Sequence, residues 1–307
     1  MQVSDFPLIS VIVPCFNSGR TIQRTILSIK NQTWVQKEII LVNDGSTDEL
    51  TINTIRELAD EKIVRLINQK NNGLASARNR GVNQSSGTFL FFLDADDWIE
   101  PQALEMMYFH LIRNQKYGYV FPDIYLEGKR SGFIEKEFNL FEQFFLNQIP
   151  YCIFISKENF IKHGIYDEKM KLGYEDWDLN IKLGKNKIFG KRLPVPLFHY
   201  DVQDTGMLLS ISIKNHIKIW KSITIKNSSI YRINSLLSEW VLWRKKPSSY
   251  PLFIFWVWYG VLNIMPEDFS LKLFLTLRKI NMFLKRIILK RNFKTNIISH
   301  DSEKNSL

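Results

Sequence analysis

The sequence predicts an α/β fold: a largely parallel sheet flanked by helices, followed by a basic helical extension. Three observations predict it. Short β-branched runs alternate with segments of helical periodicity in the first third of the chain. Polar, aspartate-rich turns close those runs, as they do where strands of a parallel sheet hand over to helices. The charge is split: residues 1–205 hold 24 Lys/Arg and 26 Asp/Glu, whereas residues 206–307 hold 17 Lys/Arg and 5 Asp/Glu.

Leu8 to Val13 is a β-branched run stopped by Pro14, hence a strand. Asn17-Ser18-Gly19 can cap a helix, and Ile22, Ile26 and Ile29 follow at helical spacing. Glu38 to Val42 is a second strand, ending in the turn Asn43-Asp44-Gly45-Ser46. Thr51 to Ala59 fits a helix, Ile63 to Ile67 a third strand, and Leu74 to Gln84 a helix opened by the break at Asn71-Asn72-Gly73. Thr88 to Leu93 is the fourth strand. Farther on, helices are predicted near 102–114 and 175–183, and strands near 117–126 and 132–137. Ligands in such sheets sit beyond the carboxyl ends of the strands. The turns at Pro14, Asp44 and Asp94 therefore converge on one rim.

A chain of 307 residues with 45% apolar content supports a sizeable core. Cys15 and Cys152 suggest neither a disulfide framework nor a cysteine-rich metal site, and read as reduced thiols. The N-terminus lacks a basic segment ahead of a long apolar run, so no signal peptide is expected. The predicted division is a catalytic region over 1–205 and a basic helical region over 206–307, with a disordered tail from about residue 295.

Asp94-Ala95-Asp96, followed at once by Asp97, ends the apolar run Phe89 to Leu93. Carboxylates packed this closely repel one another unless water or a cation compensates. Asp-x-Asp at a strand end suits Mg²⁺ or Mn²⁺, which prefer oxygen ligands and share them with substrate phosphates. The competing reading is an ordinary aspartate-rich turn.

Five motifs then occur in order: Pro14-x-Phe16-Asn17; Val42 to Asp48; Asn72-Gly73-Leu74-Ala75-x-Ala77-Arg78-Asn79-x-Gly81; Leu93 to Asp97; and Glu175-Asp176-Trp177-Asp178-Leu179. In these the chain resembles the family 2 glycosyltransferases, with the Rossmann-like GT-A fold, over roughly residues 7–205. The resemblance implies an inverting transfer of a sugar from a nucleotide diphosphate sugar, by default a UDP-sugar, to an acceptor hydroxyl. It implies that Pro14, Phe16 and Asp44 line the nucleotide pocket, with Asp44 accepting a hydrogen bond from the base. Arg78 would reach base or diphosphate, Asp94 the ribose, and Asp96 the metal, while Asp97 caps the next turn. Asn17, Asn72, Ala95, Glu175 and Trp177 complete the implied substrate-binding set. Asp176 would be the catalytic base, since single-step inversion needs one base on the acceptor hydroxyl. His199 would complete the metal shell. Family members often carry Tyr-Arg after this histidine; this chain has Tyr200-Asp201, which puts the basic diphosphate contact in question.

Pro251 to Met265 holds no charge across fifteen positions. As a helix it would extend about 22 Å, short of the roughly 30 Å hydrocarbon core. It fits an interfacial helix, a re-entrant segment or a buried helix; Trp256, Trp258 and Tyr259 favour the interface. From Leu271 to Lys294 basic and apolar residues alternate at helical spacing, as in helices that bind anionic lipid. The expected setting is peripheral, on the cytoplasmic face of the plasma membrane, with a lipid-linked glycan acceptor in polysaccharide synthesis. No nucleic-acid module is present. Two other readings stand at this point: a nucleotidyltransferase, against which the single glycine of the first turn speaks, and a non-catalytic carbohydrate-binding or scaffold protein.

Overall fold

The computed structural model describes residues 6–202 and 211–277. The first half follows the predicted alternation: β1 Ile9–Cys15, α1 Ile22–Lys30, β2 Lys37–Asn43, α2 Glu49–Asp60, β3 Arg65–Asn68, α3 Leu74–Gln84, β4 Phe89–Phe92. Then come β5 Trp98–Ile99, α4 Ala103–Arg113, β6 Tyr119–Gly128, β7 Gly132–Ile134, α5 Leu140–Gln143, β8 Phe154–Ser156, α6 Lys157–His163, α7 Glu175–Lys185 and β9 Gly190–Val202. Helices α8 His216–Lys226, α9 Ile233–Trp243 and α10 Phe253–Ile264 follow.

The strands form one sheet in the order β3-β2-β1-β4-β8-β6-β9-β5, with β7 beside β6. β1 to β4 pair in parallel, as predicted. The second half is mixed: β8 runs antiparallel between β4 and β6, and β5 antiparallel to β9. β5, β8, β9, α5 and α6 were not predicted. β8 has only three residues, too few to show a period. β9 contains Pro194 and Pro196, which argue against a strand, and its pairing with β6 slips in register on either side of Asp123. Prolines in a sheet concentrate at such irregularities.

Alternating side chains on the strands feed two cores. Val11, Val13, Leu41 and Phe91 point to the face covered by α1, α2 and α4. Ile12, Ile40, Val42 and Phe92 point to the other, covered by α3 and α7. Ile217, Trp220, Leu236, Phe255, Trp258 and Leu262 of α8–α10 join this second core, so the C-terminal helices share it with the sheet. Gly81 lets α3 approach closely, since a Cβ there would lie 2.5 Å from Ile12 Cγ2. Residues 267–277 are helical. The rest of the predicted basic helix and the predicted tail lie outside the described residues.

Candidate active site

The site is built at the carboxyl ends of β1, β2 and β4. Helix α1 holds the Asp94–Asp97 turn by its carbonyls. Thr21 Oγ1 donates to Ala95 O at 2.8 Å, Thr25 Oγ1 lies 2.7 Å from Asp97 O, and Arg24 Nη2 donates to Asp96 O at 2.7 Å. Residues 21, 24 and 25 lie on one helix face, which is why a single helix can reach three successive carbonyls.

Tyr151 sits under the same turn. Its hydroxyl accepts from Asp94 N at 3.0 Å and donates to the Asp97 carboxylate. Asp97 also accepts from Asp201 N at 2.9 Å. Burial, then Asp96 and Asp94, push the Asp97 carboxyl well above the usual range. Its role is to tie β9 to the turn, rather than the local turn cap predicted for it.

Arg78 is 1% exposed and does not project to solvent. Its guanidinium pairs with Asp94 at 2.7 Å and Glu175 at 2.6 Å, over the rings of Tyr151 and Tyr166. Burial opposes its charge, but the carboxylates prevail and hold its pKa up. The expected contact of Arg78 and Glu175 with donor is thus corrected: they are an internal ion-pair bridge. That bridge joins the β4 turn to the start of α7, where Asp176 is the next residue after Glu175.

Asp176 is held by two donors. Asn147 Nδ2 donates to Oδ2 at 2.9 Å and Trp177 N to Oδ1 at 2.8 Å. Asn147 is in turn set by Gln143 Nε2 at 3.3 Å, and Gln143 is fully buried. Burial and then Glu175 raise the Asp176 carboxyl to about 7, with Asn147 and Arg78 pulling the other way. A carboxyl titrating near neutrality suits a general base.

An open cleft of about 750 Å³ lies beside the turn, lined among others by Phe16, Asn17, Arg20, Thr21, Asp96 and Asp201. Phe16 stands on its rim, 46% exposed. Asn17, with φ 52°, stitches two loops: its Oδ1 accepts from Thr47 N at 2.8 Å and its backbone N–H donates to Ser46 Oγ. Pro14 is buried within β1, paired with Val42, and is not among the residues that line the cleft. Asp44 accepts from Gln69 Nε2 and from the backbone N–H of Asn72 and Gly73, each at 2.8 Å. It fixes the entry to α3, where Gly73 takes φ 88°. Asn72 is exposed at that entry.

Three more expectations are corrected. Trp177 is fully buried, its indole N–H donating to Gln143 O at 2.6 Å, so it is a core residue and cannot touch substrate. Ala95 faces the core with Leu93 and Ile99, offering its carbonyl to α1 and no side chain to the cleft. His199 stacks on Trp98 at 3.5 Å, and its two ring nitrogens meet Glu127 at 3.0 Å and Glu100 at 2.8 Å. With both nitrogens engaged, the ring does not present a metal ligand to Asp96. Asp201, in the position where a basic residue was expected, instead lines the cleft, 3.1 Å from Arg24. Arg24, Asn147 and Tyr151 were missed altogether, because none lies in a motif and each acts through a distant element.

Among the described residues no three His, Cys, Asp or Glu side chains converge as a closed ligand set. A cation arriving with a diphosphate does not need one, since Mg²⁺ is usually held by one or two carboxylates plus phosphate oxygens and water. Asp96 fits that mode. Burial, with Asp94 and Asp201 close by, raises its carboxyl to about 6. A cation bound there would offset the cost of burying this charge beside Asp94.

The architecture is shared with solved structures of S. aureus TarS. The chain superposes on the S. aureus TarS 1-349 structure in complex with UDP-GlcNAc with a TM-score of 0.62, at 18% identity, over 76% of this chain and 69% of that one. The chain belongs to the family described as glycosyl transferase family 2, whose profile matches residues 10–176. It is 39% identical over 106 residues to a hyaluronan synthase of Pasteurella multocida, covering 34% of this chain and 11% of that protein. To the putative glycosyltransferase EpsH of Bacillus subtilis it is 38% identical over 101 residues, covering 33% and 29%. To an uncharacterized glycosyltransferase of Haemophilus influenzae it is 38% identical over 133 residues, covering 41% and 52%. The matches thus span about a tenth to a half of these relatives' own length.

Proposed function

We propose that the protein is an inverting glycosyltransferase that moves a sugar from a nucleoside diphosphate to an acceptor hydroxyl. The observation that carries this is the Asp94–Arg78–Glu175 bridge, which ties the carboxylate turn to the residue preceding Asp176. In the step inferred, the acceptor oxygen forms a bond to the anomeric carbon as the bond from that carbon to the diphosphate oxygen breaks. Asp176 takes the acceptor proton, and the nucleoside diphosphate leaves with the bonding pair. Asn147 and the N-terminal dipole of α7 hold the Asp176 carboxylate in place. Asp96 would hold Mg²⁺ or Mn²⁺, with Asp201 on the same cleft. Such a cation, when bound, neutralises charge developing on the leaving diphosphate.

A UDP-sugar is the default donor, supported by the UDP-GlcNAc named for TarS. A lipid-linked glycan at the cytoplasmic face of the plasma membrane is the acceptor that best suits the basic C-terminal third. Purified protein with a panel of UDP-sugars, Mn²⁺ and a glycan acceptor extract should release nucleoside diphosphate and form an inverted linkage. The Asp176→Asn variant should release little. Equal release by that variant, or a retained anomeric configuration, would overturn the reading.

A further inference from the structure

Helix α10 resolves the ambiguity of the uncharged segment in an unexpected way: it is apolar on both sides. Phe255, Trp258 and Leu262 are buried, and Phe255 stacks on Phe145 at 5.4 Å. On the opposite side Phe253 is 64% exposed, Val257 66% and Ile264 79%. An inward stripe at 255, 258 and 262 and an outward stripe at 253, 257 and 264 are both at helical spacing. Helix α9 repeats the pattern, with Leu236 buried and Ile233, Leu237 and Val241 exposed along one side. Both helices lie against the α5 region, α10 through Phe141 and α9 through the Phe138–Trp243 contact. Single exposed apolar residues are ordinary, but repeated stripes on neighbouring helices mark an interaction surface.

The charge around these stripes selects the partner. Arg244, Lys245 and Lys246 are exposed in the connection from α9 to α10, and Arg232 precedes α9. From Pro247 to Pro266 no residue is charged, and among the described residues 211–277 nine Lys/Arg stand against three Asp/Glu, Glu239, Glu267 and Asp268. A second copy seated on these stripes would bring two Arg244–Lys246 collars together, which opposes self-association. An anionic surface of low polarity satisfies both features, because basic residues are drawn to acidic headgroups while apolar side chains enter the acyl boundary. No helix among the described residues is long and apolar enough to cross a membrane. We propose that the outward face of α10, with the basic 244–246 collar that precedes it, docks on an anionic phospholipid bilayer. Its purpose rests on the lipid-linked acceptor reading, whereas its support is the surface itself.

The test is flotation of the full chain with phosphatidylcholine vesicles, with and without phosphatidylglycerol. Wild type should float with the anionic vesicles only, and less as salt rises. The pair Phe253→Glu and Val257→Glu changes side chains that face solvent, so the fold should tolerate it. It should lower vesicle partition by at least about tenfold, through lost apolar burial and added repulsion. Val35→Glu, an equally exposed apolar site on the α1–β2 connection, should leave partition unchanged. Unaltered flotation of the double variant, failure of wild type to float, or a wild-type dimer that the pair converts to monomer would overturn the proposal. UDP binding keeps the two readings apart: wild type that floats yet binds no nucleotide would count against the transferase alone, and UDP affinity retained by the double variant shows that its fold is intact.

Discussion

Replacing Asn147 with leucine removes one hydrogen bond from Asp176 while keeping the side chain's approximate volume. The amide donates to Asp176 Oδ2 at 2.9 Å and is among the influences holding the carboxyl down to about 7 against burial and Glu175. A hydrogen bond to a charged group contributes about 1.5–3 kcal/mol, which corresponds to roughly one to two pK units. The base should therefore titrate at about 8–9 in the variant, by the same conversion. A base acts when deprotonated, so kcat/KM rises with pH through the pKa of the free enzyme. At pH 7 the ionised fraction would fall from about one half to between about 1% and 10%, a loss of roughly five- to fifty-fold. The assay is nucleoside diphosphate release across pH 5.5–9.5, with donor binding followed separately. The rising limb should move alkaline and much of the loss should be recovered at high pH. A uniform loss at every pH, with the limb unmoved, would refute Asn147 as the residue that tunes the base.

Asp176→Asn should lower kcat by about 10²–10⁴ with donor affinity retained, measured by steady-state kinetics and calorimetry with UDP. Asp96, raised to about 6, competes for a cation with protons. The Mn²⁺ concentration for half-activation should thus rise as pH falls below about 6 and be nearly flat above it, and Asp96→Asn should abolish that dependence. Arg78→Met leaves Asp94 and Glu175 facing each other with no cation between them, and should cost about 3–5 kcal/mol in urea unfolding. Trp177→Phe removes the bond to Gln143 O and should cost about 1–3 kcal/mol of stability while leaving UDP affinity as it was. A weakened UDP affinity with unchanged stability would restore Trp177 to the binding surface.

The parallel half of the fold was legible because local signals are strong there. β1 and β4 are short apolar runs closed by Pro14 and by the Asp94 turn, and α1 carries its isoleucines at helical spacing. The antiparallel half was not, because β8 is three residues long and β9 holds two prolines whose fit depends on a register slip against β6. In the site, the aspartates were legible as types, because their turn follows a buried strand and stands among other motifs on the same rim; alone, it reads equally as an ordinary turn. Their orientation was not legible. Arg78 reads as a helical arginine near a phosphate site, yet its two partners lie 16 and 97 residues away and close around it only in the folded chain.

What the sequence alone determined is therefore the chemistry on offer: an α/β sheet whose strand ends carry Asp44, Asp94, Asp96 and, farther on, Asp176, and a basic, aromatic-rich C-terminal third. Only the tertiary structure decided how each group is used. It put Trp177 in the core, closed both nitrogens of His199 onto carboxylates, brought Asp201 to the cleft and turned one side of α10 outward. The physical reason is that composition and spacing govern local conformation, whereas burial, ion pairing and a carboxylate's proton affinity depend on residues brought near from far along the chain.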